Sequence, residues 1–240
     1  MKIVKHIPNT ITSLNLLSGA LAVINALSGN YTTAVLFIFL AAIFDFLDGM
    51  AARTLKAYSD IGKELDSLAD VVSFGLAPSL ILYHKLSVIE LIHPLIKYIP
   101  LIVALFSALR LAKFNIDTRQ KEEFLGLPTP ACGIIIASLL YFYAVAEPTE
   151  WIVKFIDNSY TLPILSIILS ALLVCEIPMF SMKISGLSWK KNSLRYIYIV
   201  LVILIAIITL ILNYNNWSLI ILIAFILYIL INIGRWIIAR

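Results

Sequence analysis

Long apolar runs dominate this sequence, and they recur often enough to decide what it folds into. A helix needs roughly 20 apolar residues to cross a membrane, with about 17 as the lower limit. The chain is 61% apolar and 13% charged, whereas soluble domains are roughly half apolar and a quarter charged. We therefore predict an all-α, polytopic membrane helix bundle that forms one domain, residues 1–240. The eight predicted spans are 11–28, 32–50, 64–83, 95–113, 128–146, 160–179, 195–213 and 217–236.

The distribution of positive charge predicts the orientation of this bundle. With eight spans, fifteen of the 18 Lys and Arg residues fall on the side of the two termini, and three fall on the other side. Loops rich in Lys and Arg stay in the cytoplasm, so both termini are expected there. The span 64–83 contains two aspartates, but leaving it out would destroy this asymmetry. The net charge of +4 is then explained by contacts with membrane lipids, and we expect no nucleic-acid partner.

Four aspartates interrupt the apolar segments. Asp45 and Asp48 fall at the end of the second span, and Asp66 and Asp70 fall at the start of the third. Residues three or four apart share a helix face, so each pair forms an acidic face. The connection 52–63 is short, which makes the two helices antiparallel neighbours. The two acidic faces are therefore expected to meet at one depth, one or two turns inside the membrane.

Carboxylates gathered in this way need positive charge. Each costs about 3 kcal/mol in the hydrocarbon core unless it is compensated, and Arg53 and Lys63 are too few to neutralise four. Two divalent cations can do so, and ligands made only of oxygen favour Mg²⁺ or Mn²⁺, with Ca²⁺ also able to bind. Two metals about 4 Å apart can bridge a diphosphate. Gly49 and Gly62 lie on the same faces, where a missing Cβ lets a base or a phosphate approach.

The stretch from Asp45 to Asp70 resembles the signature of the CDP-alcohol phosphotransferase family. That signature is Asp, two residues, Asp-Gly, two residues, Ala-Arg, eight residues, Gly, three residues, Asp, three residues and Asp. This sequence meets every spacing across the 26 residues. The resemblance implies a dinuclear metal site and a CDP-linked lipid or alcohol as donor. It also implies transfer of the phosphate-bearing group to a second alcohol, release of CMP, and a homodimer.

The roles that the resemblance implies fall on the matching positions. The metal ligands are Asp45, Asp48, Asp66 and Asp70. Asp70 also matches the general base that takes the proton from the attacking hydroxyl. The residues that match the CDP-binding part are Gly49, Ala52, Arg53 and Gly62. Three further residues are candidate CDP contacts. Ser59 lies near these positions, and Thr12 and Asn15 lie at the start of the first span, where they are equally suited to cap that helix.

Three more stretches, residues 7–19, 108–115 and 124–133, resemble the integral-membrane phosphatidylserine synthase branch of this family. That branch implies L-serine as the acceptor and CDP-diacylglycerol, or its ether counterpart CDP-archaeol, as the donor. Serine is a zwitterion, so its carboxylate needs a cation, and a guanidinium grips a carboxylate with two hydrogen bonds. The candidate serine contacts are Arg110, Asn115, Thr129 and Lys183. Arg110 and Lys183 are alternatively ordinary anchors in positively charged loops.

Two other functions remain open from the sequence. The first is the same chemistry with glycerol 3-phosphate or an inositol phosphate as acceptor, for which a denser basic pocket is expected. The second is a cation transporter that uses Asp66 and Asp70 as an ion path. A transporter predicts polar residues through the whole membrane depth, whereas here they concentrate on one side. We expect the protein to be a multi-pass protein of the cell membrane, with this side facing the cytoplasm. Glu176, inside the sixth span, has no assigned role.

Overall fold

Helices account for nearly all of the residues that the structure describes. The structure, a computed structural model, describes residues 6–117, 123–147, 150–181, 189–211 and 216–239. These residues form a membrane helix bundle, as the sequence predicts. The helices are α1 Ile7–Leu27, α2 Tyr31–Thr54, α3 Asp60–Asp70, α4 Ala77–Ser87, α5 Ile102–Ile116, α6 Thr129–Val145, α7 Trp151–Asp157, α8 Thr161–Val174, α9 Trp189–Ile211 and α10 Trp217–Ile238.

Three shorter features complete the described chain. A π-helical segment, Val71–Leu76, joins α3 to α4, so that Asp60–Ser87 is one continuous helical stretch. A 3₁₀-helical segment, Pro94–Leu101, leads into α5. Two short antiparallel strands, β1 Glu123–Leu125 and β2 Pro178–Phe180, pair near the ends of α5 and α8.

The helices agree with the predicted positions of the spans. Within the described ranges, six helical stretches are long and apolar enough to cross a membrane, and α7 with α8 forms a further pair bent by 79°. Helix α6 is apolar but has only 17 residues. Each of the eight predicted spans overlaps one of these helices, including the third, which its aspartates make less apolar.

The sixth predicted span, 160–179, is wrong at its end. Helix α8 stops at Val174, and the chain then runs extended into β2, where Pro178 pairs with Leu125. The residue before a proline is biased towards extended backbone, and proline itself has no N–H to donate within a helix. The sequence analysis treated this apolar stretch as helix because hydrophobicity alone does not separate a helix end from a buried strand.

The buried core of the bundle combines large aliphatic side chains with small residues on neighbouring helices. Helices α1 and α2 form an antiparallel hairpin, and each contributes alanines to the buried core, among them Ala22 and Ala41. Small residues let the backbones of membrane helices approach closely. The stretch Asp60–Ser87 lies in the middle and packs against α1, α5 and α6. Its N-terminal end meets the start of α1, the end of α2 and the end of α5, and we call this region the aspartate end.

The opposite end of the bundle holds a second polar cluster. Lys85 is 4% exposed; its Nζ donates to the Tyr143 hydroxyl at 2.5 Å and pairs with Asp157 at 2.5 Å. Tyr31 and His84 form another hydrogen bond there, 2.9 Å long. The sequence analysis did not foresee this cluster at the end opposite the aspartates. A buried lysine needs a partner of opposite charge, and here that partner ties α7 to α4 and α6.

Candidate active site

Three aspartates converge where α2 ends and α3 begins. Asp45 and Asp48 lie one turn apart on α2, and Asp66 lies on α3. One carboxylate oxygen of each lies within 4.8 Å of the chosen oxygens of the other two. The spacing of three residues puts the α2 pair on one helix face, and the packing of α3 beside α2 brings Asp66 to that face.

The buried oxygens of this cluster fit a hard cation. Asp48 Oδ2 and Asp66 Oδ1 are buried, and among the described residues neither has a hydrogen-bond partner. Buried acceptors normally have partners, and like charges this close destabilise each other. A divalent cation satisfies both requirements, because carboxylate oxygens are the ligands that Mg²⁺, Mn²⁺ and Ca²⁺ prefer.

Asp70 lies one helical turn beyond Asp66 and has a different environment. It is the last residue of α3, is 6% exposed, and accepts a hydrogen bond of 3.2 Å from Asn15 Nδ2 on α1. It is not one of the three aspartates whose oxygens meet, although it interacts electrostatically with Asp45 and Asp66. Asp70, the fourth predicted aspartate, therefore borders the cluster one helical turn further along the stretch Asp60–Ser87.

The π-helical segment that follows Asp70 is enclosed by close backbone contacts. A Cβ on Gly133 of α6 would lie 2.9 Å from the Cα and the carbonyl oxygen of Phe74, and a Cβ on Gly75 would lie 2.9 Å from Ser107 Cβ. These glycines therefore let α5 and α6 approach the widened turn. Single π-helical turns inside α-helices are frequent at functional sites, and this one begins directly after Asp70.

A cavity of about 350 Å³ opens beside the carboxylates at the aspartate end. Its walls come from the starts of α1 and α3, the end of α2, and the connection between α2 and α3. Asp48 and Asp66 line it on the side of the cluster. Six of the seven predicted CDP contacts line it: Gly49, Ala52, Arg53, Gly62, Ser59 and Thr12.

The local structure explains how several of these residues come to the cavity. Ser59 caps α3, since its hydroxyl accepts the Gly62 N–H at 3.0 Å. A Cβ on Gly62 would lie 2.8 Å from Asn9 Oδ1, whereas one on Gly49 would meet no atom within 4 Å. Gly49 therefore leaves open space, and Gly62 allows close packing. Asn9 lines the cavity and was missed; its position three residues before Thr12 on one helix face was the available signal.

Two of the predicted serine contacts, Arg110 and Thr129, meet each other. Arg110 on α5 is 6% exposed, and its Nη1 donates to the Thr129 hydroxyl at 3.4 Å. Its Nε is buried and has no hydrogen-bond partner among the described residues. Arg110 also interacts electrostatically with Asp70. A narrow crevice of about 20 Å³, room for about one water, is lined by Arg110 together with Lys113 and Glu176.

The other two predicted serine contacts are placed differently. Asn115 Nδ2 donates to the Ser67 hydroxyl at 3.0 Å, and Lys63 Nζ donates to the carbonyl oxygen of Asn115 at 3.0 Å. Asn115 thus joins the end of α5 to the start of α3. Lys183 lies outside the described residues. Asn15, predicted to contact CDP, is fully buried against Asp70 and does not line the cavity.

Sequence comparison agrees with this geometry. The model of the CDP-alcohol phosphatidyltransferase family matches residues 5–175, which include the aspartates and the cavity. The chain belongs to this family. The family match ends just after α8, so α9 and α10 lie outside it.

Several relatives in this family have named activities. The chain is 44% identical over 139 residues to the CDP-diacylglycerol–serine O-phosphatidyltransferase of Bacillus subtilis, which covers 58% of this chain and 77% of that protein. It is 36% identical over 152 residues to the archaetidylserine synthase of Methanothermobacter thermautotrophicus, covering 62% and 63%. It is 41% identical over 132 residues to the CDP-diacylglycerol–serine O-phosphatidyltransferase of Methanocaldococcus jannaschii, covering 54% and 58%. The chain thus spans less than two thirds of the two archaeal proteins.

Proposed function

We propose that this protein transfers the phosphatidyl or archaetidyl group of a CDP-linked diacyl or diether lipid to the hydroxyl of L-serine, with release of CMP. The observation that carries the proposal is the cavity lined by the family signature directly beside three converging carboxylates. The cavity suits the nucleotide, and Asp48 and Asp66 along its wall would hold cations that offset the charge of its diphosphate. The names of the bacterial and archaeal relatives support serine as the acceptor.

Asp45, Asp48, Asp66 and Asp70 are proposed to hold two divalent cations, Mg²⁺ or Mn²⁺. The unpartnered oxygens of Asp48 and Asp66 support this assignment. When bound, such cations offset the negative charge that the diphosphate gains as the bond to CMP breaks. Arg53 at the cavity wall is the protein's own positive charge for the same group.

Asp70 is the proposed general base. It takes the proton of the serine hydroxyl while that oxygen bonds to the lipid-bearing phosphorus, and the bond from this phosphorus to the CMP oxygen breaks. A base within hydrogen-bond reach of the attacking hydroxyl is what this step needs. Arg110 donates a hydrogen bond to Thr129 and interacts electrostatically with Asp70, and both residues are proposed to hold the serine carboxylate and orient the hydroxyl. Asn115 and Lys183 complete the proposed serine contacts.

The bundle is proposed to place the aspartate end at the cytoplasmic face of the cell membrane. Basic residues cluster there, as the rule for cytoplasmic loops requires, and L-serine and CMP are both soluble in water. The lipid donor then enters sideways from the adjacent leaflet. We also propose that two copies form a homodimer, as the family resemblance implies.

The alternative acceptors, glycerol 3-phosphate and an inositol phosphate, carry a phosphate that needs several cations. The basic residues that line the crevice at Arg110 are Arg110 itself and Lys113, a set that suits one carboxylate better than a phosphate. A cation transporter is less well supported, because the chain belongs to a transferase family and its cavity has the signature residues along its wall.

The test is metal-dependent release of CMP by the purified protein in detergent. The reactions contain CDP-diacylglycerol, Mg²⁺ or Mn²⁺, and L-serine, glycerol 3-phosphate or inositol phosphate in parallel, with Asp70→Asn as the control. We expect release only with metal and L-serine, and none from the variant. Release with another acceptor alone would refute serine, and no release with any acceptor or with CDP-archaeol would favour the transporter.

A further inference from the structure

Asn15 is a polar residue in an apolar helix, and its side chain is committed to one partner. It lies just over two turns into α1 and is fully buried. Its Nδ2 donates to Asp70 Oδ1 at 3.2 Å, across 55 positions of the sequence. The orientation of the amide follows from the chemistry, because an ionised carboxylate only accepts hydrogen bonds and the NH₂ group must face it. The amide oxygen is buried without a hydrogen-bond partner among the described residues.

The backbone at Asn15 is fixed to the same part of α3. The Ser73 hydroxyl, in the π-helical segment after Asp70, donates to the carbonyl oxygen of Asn15 at 3.1 Å. Gly19, one turn further along α1, lies so close to Ser73 that a Cβ there would come 2.8 Å from the Ser73 Cα. Helix α1 therefore holds the residues around Asp70 through a side chain, a backbone group and a close packing contact.

This arrangement separates Asn15 from the nucleotide cavity. The α1 residues that line the cavity are Pro8, Asn9 and Thr12. Asn15 lies one turn deeper, on the side of Asp70. The buried amide oxygen without a partner is an unfavourable feature for stability alone, which indicates that the residue is kept for what its NH₂ group does.

We propose that Asn15 is a positioning residue for the reaction: it holds Asp70 Oδ1, so that the second carboxylate oxygen faces the hydroxyl of the acceptor. The inference rests on the proposed function, in which Asp70 is the general base. Asn15 touches no substrate and acts only through Asp70. It therefore governs the rate of the chemical step and leaves the binding of the CDP-linked lipid unchanged.

The experiment compares variants at two asparagines of α1. Asn15→Leu keeps the size of the side chain and removes the donor, and Asn15→Gln keeps the donor on a longer side chain. Asn25→Leu is the matched control, because Asn25 is on the same helix at the far end and, among the described residues, donates its side-chain N–H to the carbonyl oxygen of Leu21, at 2.8 Å. Thr12→Ala probes the cavity wall. All are assayed as folded protein in detergent for CMP release with CDP-diacylglycerol, Mn²⁺ and L-serine.

We expect Asn15→Leu to lower kcat by about 10²-fold, the loss typical of a misplaced catalytic group, with the KM for CDP-diacylglycerol unchanged. Asn15→Gln should recover part of kcat, and Asn25→Leu should match the wild type. Thr12→Ala should show the reverse pattern, a higher KM with kcat retained. If Asn15→Leu does not fold, Asn15→Ser, which is too short to reach Asp70, must show the same loss of kcat.

Two results would overturn the positioning role. A raised KM with normal kcat in Asn15→Leu would make Asn15 a nucleotide contact, and a kcat equal to that of Asn25→Leu would leave it without a catalytic effect. Both can be told apart from failure of the proposed function, in which the wild type itself releases no CMP with L-serine. If the wild type uses another acceptor, the same comparison of kcat and KM is made with that acceptor.

Discussion

Replacing Gly133 with alanine should slow the enzyme without removing any polar group. An ideal Cβ at this position would lie 2.9 Å from the Cα and the carbonyl oxygen of Phe74, which is fully buried. Non-bonded carbons pack at about 3.5–4.0 Å, so the two backbones must separate by ~0.6 Å or more. Phe74 lies four residues after Asp70 in one helical stretch, so the Asp70 carboxylate is displaced together with it.

Two opposing effects set the change in the unfolding free energy of Gly133→Ala, and the displacement of Asp70 sets the change in kcat. Overpacking a filled core costs about 1–3 kcal/mol, and replacing glycine by alanine inside a helix returns about 1 kcal/mol. The net loss of unfolding free energy is therefore about 1 kcal/mol. A misplacement of about 1 Å lowers catalysis by roughly 10²-fold, so a shift of ~0.6 Å should lower kcat by about 10-fold or more.

Gly234 on α10 offers the matched control, because a Cβ there would meet no atom within 4 Å. Gly234→Ala should melt at or slightly above the wild-type temperature and retain its kcat, since only the helix propensity changes. Both variants are measured by thermal denaturation in detergent and by CMP release at saturating substrates. The packing argument is refuted if Gly133→Ala melts and turns over like Gly234→Ala.

Three further predictions test other parts of the site and fold. Asp66→Asn removes a proposed ligand, so the Mn²⁺ concentration needed for half-maximal CMP release should rise and kcat should fall; an unchanged metal titration would exclude this role. Arg110→Lys cannot form the two parallel hydrogen bonds that a guanidinium donates to a carboxylate. A hydrogen bond to a charged group contributes about 1.5–3 kcal/mol, so the KM for L-serine should rise by about 10-fold or more. The KM for the lipid donor should stay constant. Lys85→Met breaks the ion pair with Asp157, which lies at the end of the bundle opposite the aspartate cluster. Denaturation measurements should show an unfolding free energy lower by about 2 kcal/mol, with kcat unchanged. A loss of kcat in folded protein would contradict this and tie the Lys85 cluster to the reaction.

Helix periodicity and hydrophobicity were enough to predict much of this architecture. Apolar length located the helices, and spacing of three or four residues placed Asp45 with Asp48 on one face. The short connection after Arg53 made α2 and α3 neighbours. These are local properties, and the convergence of Asp45, Asp48 and Asp66 follows directly from them.

The features that the sequence did not predict depend on contacts between distant residues. The hydrogen bond from Asn15 to Asp70 joins α1 to α3, and no rule of helix spacing links positions that are 55 residues apart. The close packing of α5 and α6 against the π-helical segment, through Ser107 at Gly75 and through Gly133 at Phe74, likewise joins residues far apart in the sequence. The pairing of Lys85 with Asp157 was hidden for the same reason, because each looked like a residue of an ordinary loop or helix end.

The measurement that tests the central claim most directly follows labelled serine into lipid. The purified protein is incubated with CDP-diacylglycerol, Mn²⁺ and isotopically labelled L-serine, and both the labelled phospholipid and the CMP are quantified. We predict one labelled phospholipid for each CMP released, with neither product formed by Asp70→Asn. Release of CMP without labelled lipid, or in the absence of serine, would contradict the assignment of L-serine as the acceptor at this site.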